Sequence, residues 1–323
     1  MKIAVVTPLS EPALQGMVTG NEVTARRWEA ILQKLGHAVT ALAAYDGEPV
    51  DALVALHARK SAASIAKFSQ THPEKPLIVA LTGTDLYQDL PDSKEATASL
   101  ARATHVITLQ PGALDVLDPS IRTKTTVIYQ SAKSIVPALG KAANCFQACL
   151  LAHLRPVKDP LLAADAAAML PPDSPVRIVH AGAAADDEIR DKLKAVKAAA
   201  AENPRYRWIG PIPHEEARLL IARSHVLLLT SRVEGGANVL SEALALGVPI
   251  LASRVAGVEG LLGESYPGYF PPGDASGLAE RLHQAEHDEV YYRRLQRACE
   301  KLAPMVEPSR ELQSWQQLLS SLA

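Results

Sequence analysis

The sequence is short of what several protein classes require. It has three cysteines, Cys145, Cys149 and Cys299, an odd number that cannot all pair. Cys145 and Cys149 fall in one expected strand, about 13 Å apart, too far for a disulfide. A reducing cytoplasm is therefore the expected home. No stretch offers the roughly 18 apolar residues of a membrane span. The opening "MKIAVVTP" has one lysine and an apolar run too short for a signal peptide. These features predict a soluble intracellular protein with no membrane partner. Lys and Arg (33) nearly balance Asp and Glu (35), leaving a net charge of −2. The strongly basic face of a nucleic-acid binder is thus missing. Aromatics are only 4% of a chain that is 48% hydrophobic, so alanine, leucine and valine must fill its core.

Three chemical motifs are also missing. The loop after the first expected strand, "PLSEPALQGMVTGN", has glycines only at 16 and 20. That is not the G-x-G-x-x-G of a dinucleotide site, which disfavours a nicotinamide or flavin enzyme. There is no P-loop, and there is no Asp-x-Asp pair of the sort metal-dependent transferases use. No cofactor and no metal are expected.

What is present is alternation. The 323 residues suffice for one large domain or two of about 150. Expected strands fall at 2–7, 38–42, 51–56, 76–81, 105–109 and 125–130. After a stretch with proline, glycine and alanine (Pro137 to Asn144), a second series falls at 145–151, 176–181, 206–210, 225–230 and 249–253. Helical patterns such as Glu22–Leu35, Ala185–Ala201 and Pro213–Ala222 fill most gaps. Alternating βα units with apolar strands imply parallel sheets covered on both faces. The fold class is α/β: two Rossmann-like, doubly wound domains facing across a cleft, 1–140 and 141–304. The tail from Glu289 reads as helices broken at Pro304 and Pro308. Its last helix, about 305–323, is expected to pack back on the first domain.

The stretch "EGGANVLSE" puts Glu234 and Glu242 eight residues apart, just past the expected strand "HVLLLT". Ligands of open α/β sheets sit beyond strand carboxyl ends. Gly235 and Gly236 allow close backbone approach. A helix starting near Ala237 or Asn238 turns free amides and a positive dipole end to the same spot, which suits phosphate. A carboxylate beside a phosphate site makes sense for neighbouring hydroxyls. The ligand implied is a phosphate flanked by polyols, as in a nucleotide sugar. On spacing alone, a loop charge and a solvated helix residue are an equal alternative. "ALGVPILAS" then returns to a strand, with Gly247 as C-cap, and a second glycine–acid turn, "AGVEG" (256–260), follows.

The run "SRVEGGANVLSEALALGVPILASRVAGVEG" resembles the E-x7-E segment of retaining GT-B glycosyltransferases of family 4. The resemblance implies that Glu234 lies near the donor sugar ring. It also implies that Glu242 binds ribose hydroxyls, and that amides of Gly235, Gly236, Ala237, Asn238 and Val239 meet a diphosphate. Arg155 and Lys158 of "HLRPVKDP" take the place of the family's diphosphate-binding cations, although the family spacing between the two is longer. They would stabilise a departing UDP without a metal. Gly210 and Ile212 of "RWIGPIPHEE" correspond to the base-binding segment.

The first half should supply the acceptor site. Gly20 and Asn21 open a helix, a second anion site, with Arg26 and Arg27 within two turns. Asp85 in "LTGTDLY" and His57 in "LHARKS" stand at other strand ends; Asp85 is equally readable as an N-cap, and His57 as a buried structural histidine. Arg232 adds to the anion site from across the cleft. At full length, "VTGNEVTARRW", "LHARKSAASI", "NPRYRWIGPIP" and "YPGYFPPGD" resemble the selenosugar synthase branch of these enzymes. That implies selenophosphate as acceptor, a UDP-hexose such as UDP-N-acetylglucosamine as donor, and a 1-selenosugar as product. The competing readings are an ordinary UDP-sugar transferase with a hydroxyl acceptor, a GT-B nucleotide-sugar epimerase, and a nucleotide-sugar binder without turnover.

Overall fold

The computed structural model of the chain describes residues 1–8, 19–83, 85–90, 92–134, 140–184 and 190–322. Gly16, Thr84, Pro137 and the start of the helix expected from Ala185 lie outside them.

The first lobe runs β1 (Lys2–Val6), α1 (Gly20–Lys34), β2 (Ala38–Leu42), β3 (Ala52–Leu56) and α2 (Ala62–Thr71). It continues with β4 (Leu77–Leu81), α3 (Lys94–Arg102), β5 (His105–Thr108), α4 (Pro119–Arg122) and β6 (Thr125–Val127). The second lobe begins β7 (Phe146–Leu151), α5 (Leu162–Met169), β8 (Val176–Ala181), α6 (Arg190–Glu202) and β9 (Tyr206–Trp208). Then come α7 (His214–Arg223), β10 (Val226–Leu229), α8 (Asn238–Ala245), β11 (Ile250–Ser253), α9 (Ala256–Leu262) and β12 (Tyr269–Phe270). Helices α10 (Ala275–His287), α11 (Glu289–Leu302) and α12 (Pro308–Ser320) close the chain.

Each lobe is a six-stranded sheet, ordered β2-β1-β3-β4-β5-β6 in the first and β12-β11-β10-β7-β8-β9 in the second. Every neighbouring pair is parallel. This is the doubly wound architecture expected from the alternating pattern. Strands β3 and β4 are buried along their whole length, because helices cover both faces and an all-apolar run is the sequence that tolerates it. The strand order reverses between β1 and β3 and again between β7 and β10. Open α/β sheets bind ligands at such switch points, beyond the strands' carboxyl ends.

Helix α1 starts with a capping box, Thr19 and Glu22 each bonding the other's backbone amide. Its inner face buries Trp28 against Trp315 of α12, edge to face with centroids 5.0 Å apart. Trp315, Leu318 and Leu319 join the core formed by β1, β3 and α1, so α12 packs on the first lobe. Helix α8 ends with Gly247 at φ +63°, just past the cap residue Leu246. The segment "AGVEG", read as a turn, is instead the body of α9. Strand β12 is an addition to the expected set. All three cysteines are unpaired; burial pushes the Cys149 thiol up to about 12. Among the described residues, no helix is long and apolar enough to cross a membrane.

Candidate active site

The expected site residues lie past the carboxyl ends of β1, β3, β4, β7, β9 and β10, and β1, β3, β7 and β10 flank the two switch points. From the second lobe, Glu234 follows β10 and is 6% exposed. Its carboxylate accepts from the Ser231 hydroxyl at 2.8 Å and from the Lys158 ammonium. Lys158 ends the single turn Pro156–Lys158 after β7, held there by the Thr230 hydroxyl donating to its carbonyl at 2.7 Å. A cation and an acid that lie 76 residues apart in sequence thus meet at one point. Arg155 caps the same turn and is exposed.

Glu242 lies on α8, 8% exposed. Its carboxylate, expected to meet ribose hydroxyls, accepts a 2.6 Å hydrogen bond from His214 Nε2 of α7. That bond raises the imidazole pKa above its ordinary value, against the opposing effect of partial burial. His214 was not a candidate from sequence, although it lies in the quoted segment "RWIGPIPHEE". Gly210 takes φ +75°, and its carbonyl accepts from the Gly182 amide at 2.9 Å. Ile212 is half-buried beside it.

The glycine pair has an unexpected neighbour. A Cβ on Gly235 would stand 2.4 Å from the Gly83 carbonyl oxygen, and one on Gly236 would stand 2.6 Å from Leu109 Cβ. Both obstacles belong to the first lobe. The close approach these glycines permit is therefore made to the opposite lobe's chain. Asn238 reinforces the contact. Its side-chain amide donates to the Gly20 carbonyl at 3.0 Å and to Thr24 at 3.2 Å, and its oxygen accepts from Arg27 at 2.8 Å. Ala237 and Val239 flank it, buried and half-buried.

On the first lobe, Asn21 accepts from the Thr82 hydroxyl at 2.8 Å, tying α1 to the end of β4. Asp85 is fully buried and accepts from the Gly83 amide at 2.8 Å and the Ala58 amide at 3.1 Å. It thus fixes two strand-end loops and is not a helix N-cap. His57 is buried with φ +73°, a conformation rare for a side-chain-bearing residue. Its Nδ1 accepts from the Lys60 amide at 3.3 Å and lies 3.8 Å from Asp85; its Nε2 lies 3.5 Å from Asp89. Burial lowers the His57 pKa, and Asp85 opposes this.

Two expectations do not hold in detail. Arg26 is exposed, and Arg27 reaches the cleft instead. Helical phase separates them, because Arg27 follows the buried Thr24 by three positions and so shares its side of α1. Arg232 makes its ion pair within its own lobe, with Asp159 at 2.7 Å. Glu311 of α12 was missed altogether. Nearly inaccessible, it accepts from Arg27 Nε at 2.9 Å, Trp28 Nε1 at 2.8 Å and the Ser131 amide at 2.9 Å. Its spacing of four from Trp315 was the available signal. Among the described residues, one cluster has metal-ligand character, His283, Glu286 and His287 on α10, and none of its members belongs to these loops.

Comparison with known proteins agrees with this fold. HepE of Anabaena, in its crystal structure with UDP, superposes with a TM-score of 0.77 at 17% identity, covering 99% of this chain and 100% of that one. Sucrose-phosphate synthase of Thermosynechococcus elongatus gives 0.77 at 15% identity, covering 99% and 98%. The chain thus has the two-lobed GT-B fold. An N-acetyl-alpha-D-glucosaminyl L-malate synthase of Bacillus anthracis is 36% identical over 77 residues, 24% of this chain and 20% of that protein. The chain aligns with only about a fifth of the length of the curated relatives it matches. The family described as "Glycosyl transferases group 1" matches residues 133–302, more than half of the sequence and all of the second-lobe loops described above, and the chain belongs to that family.

Proposed function

We propose that this glycosyltransferase moves a hexose, N-acetylglucosamine, from a UDP-sugar to selenophosphate, forming a carbon–selenium bond and yielding a 1-selenosugar for selenoneine biosynthesis. A selenium lone pair forms the bond to the anomeric carbon as the bond from that carbon to the diphosphate oxygen breaks. The electron pair leaves with UDP, and Arg155 and Lys158 offset its growing charge. Water then cleaves the selenium–phosphorus bond, releasing phosphate.

The observation that supports the donor half is the ion pair of Lys158 with Glu234 in the loop before α8, with Arg155 at the start of the turn that carries Lys158. In this reading the cations serve the diphosphate and the acid serves sugar hydroxyls, beside a helix N-terminus at a switch point. HepE is known in complexes with UDP and UDP-glucose, and the relative named for N-acetylglucosaminyl transfer supports that hexose. The acceptor half rests on the resemblance of "VTGNEVTARRW" and "LHARKSAASI" to selenosugar synthases. It rests also on chemistry: an anionic nucleophile needs fixed positive charge more than it needs a base. The chemistry proposed uses no metal, because side-chain cations take its place.

One observation favours a hydroxyl acceptor instead. His57 held between Asp85 and Asp89 has the components of a general base. Incubating the protein with UDP-N-acetylglucosamine and either selenophosphate or simple alcohols, and measuring UDP release, separates the two. Release with selenophosphate is the expected result; release with alcohols alone would replace this reading by the hydroxyl one.

A further inference from the structure

Helix α10 carries the segment "HQAEH", residues 283–287. Positions three and four apart share one face of a helix. One ligand atom from each of His283, Glu286 and His287 accordingly lies within 4.8 Å of the other two. Leu278, Leu282 and Ala285 of the same helix are buried in the second lobe's core. The backbone that carries the three side chains is therefore fixed by packing.

Two details go beyond proximity. The His287 ring donates from Nδ1 to the His283 carbonyl. That bond places the ring proton on Nδ1 and leaves a lone pair on Nε2, the state in which histidine ligates a metal ion with its other nitrogen held by a carbonyl. His283 Nδ1 is closed to solvent and makes no hydrogen bond, although Glu286 Oε2 lies 3.6 Å away. That separation exceeds the about 2.7–3.2 Å of a hydrogen bond. It is near the edge of a zinc coordination tetrahedron, about 3.4 Å for metal–ligand bonds of about 2.0–2.2 Å. The two imidazoles stack with centroids 4.1 Å apart and planes 28° from parallel, so both face the same small volume. A polar atom buried without a partner is uncommon and needs a reason; a cation held between these groups supplies one.

We propose that His283, Glu286 and His287 bind one divalent ion of the zinc class, with the remaining coordination position left to water. Two imidazoles and a carboxylate suit zinc and its neighbours in the transition series, whereas magnesium and calcium take oxygen sets. The ion would join successive turns of α10 and so stabilise the second lobe. It has no part in sugar transfer, because its ligands lie outside the loops of the cleft, and the inference does not rest on the proposed function.

The test is calorimetry on tag-free protein, stripped with EDTA and dialysed, titrated with zinc or with magnesium. The proteins are the wild type, His283→Ala, His287→Ala, Glu286→Gln and, as a control, His105→Ala at the start of β5. Melting temperatures equal to wild type in EDTA establish that the variants fold. The wild type should bind one equivalent of zinc and hold magnesium far more weakly. Losing a group that merely supports a metal ligand costs about 10- to 100-fold in affinity, so either cluster histidine variant should lose at least about tenfold, and His105→Ala nothing. Zinc at a hundredfold excess over its Kd should raise the wild-type melting temperature by about 4 °C, and the shift should shrink in the cluster variants. Four results would overturn the proposal: no saturable zinc binding by the wild type, affinity unchanged in the cluster variants, an equal loss in His105→Ala, or magnesium bound as tightly as zinc.

Discussion

Replacing Gly235 by alanine tests whether the two lobes must meet at the donor loop. The added Cβ would lie 2.4 Å from the Gly83 oxygen and 3.0 Å from its carbonyl carbon and Cα. All three are backbone atoms, and Gly83 has no side chain to move aside. Its amide is fixed to the buried Asp85, so the loop cannot retreat cheaply. Restoring normal contact requires opening this point by about 1 Å. A misplacement of that size at a reacting centre typically costs about 100-fold in rate, or about 2.7 kcal/mol of barrier. Gly235 lies at no positive φ, so alanine introduces no backbone strain of its own, and the effect is steric. The expected result is kcat for UDP release reduced about 100-fold, with UDP affinity changed only a few-fold and the thermal transition retained. Activity within twofold of wild type would refute the claim that the approach of Gly235 to Gly83 sets the catalytic geometry.

If the proposed roles hold, Arg155→Ala or Lys158→Ala should each lower kcat about 100- to 1,000-fold in the same assay, the cost of losing one donor to the leaving group. EDTA should leave UDP release unchanged; its loss, restored by a divalent cation, would show that the cations are insufficient. Glu311→Ala strips the partner from buried donors on Arg27, Trp28 and Ser131. Breaking a buried pair in this way costs about 3–5 kcal/mol, which should appear as a melting temperature lower by about 4–7 °C. The His214–Glu242 pair raises the folded-state histidine pKa, so its stabilisation is full below the ordinary imidazole value of about 6.5 and fades as pH rises through the raised one. Because the His214 side chain is 41% exposed, the pair is worth well under about 1 kcal/mol. Compared with His214→Gln, the wild type should therefore melt about 1 °C higher on the acid side, with the difference vanishing on the alkaline side.

The central strands β3, β4, β10 and β11 are legible because each is a short apolar run bounded by polar or turn residues, and burial on both faces is what writes such a run. Helix α9 was misread for an instructive reason. Two glycines within "AGVEG" weaken a helix by about 1 kcal/mol each, and local propensity therefore favours a turn. The fold needs them for packing. A Cβ on Gly257 would stand 1.8 Å from the Glu234 carbonyl, and one on Gly260 1.8 Å from Gln110. Tertiary contact outweighs propensity there, and the helix persists. Strand β12 has two residues, too few for a period to register. Glu234, Arg155 and Lys158 stand out in the sequence because they follow strands in a recognisable order. The first lobe is harder to read: Arg26 and Arg27 are chemically identical, and only the phase of α1 tells which one turns inward.

The contacts that complete the site are the ones a linear reading reaches least. Asn238 and Arg27 are 211 residues apart, and Arg27 and Glu311 are 284 apart. Asn238 is the first residue of α8, so its tether to Gly20, Thr24 and Arg27 fixes where that helix points its free amides. Gly235, three residues earlier, is fixed by the approach to Gly83. The donor loop is thus positioned from both ends by the first lobe, and the nearby carboxylate of Glu234 is held from behind by Ser231 and Lys158. The E-x7-E segment supplies the functional groups, but their placement belongs to the pair of lobes. Substitutions on α1 or at the end of β4 should therefore alter donor chemistry as strongly as substitutions in the donor loop itself.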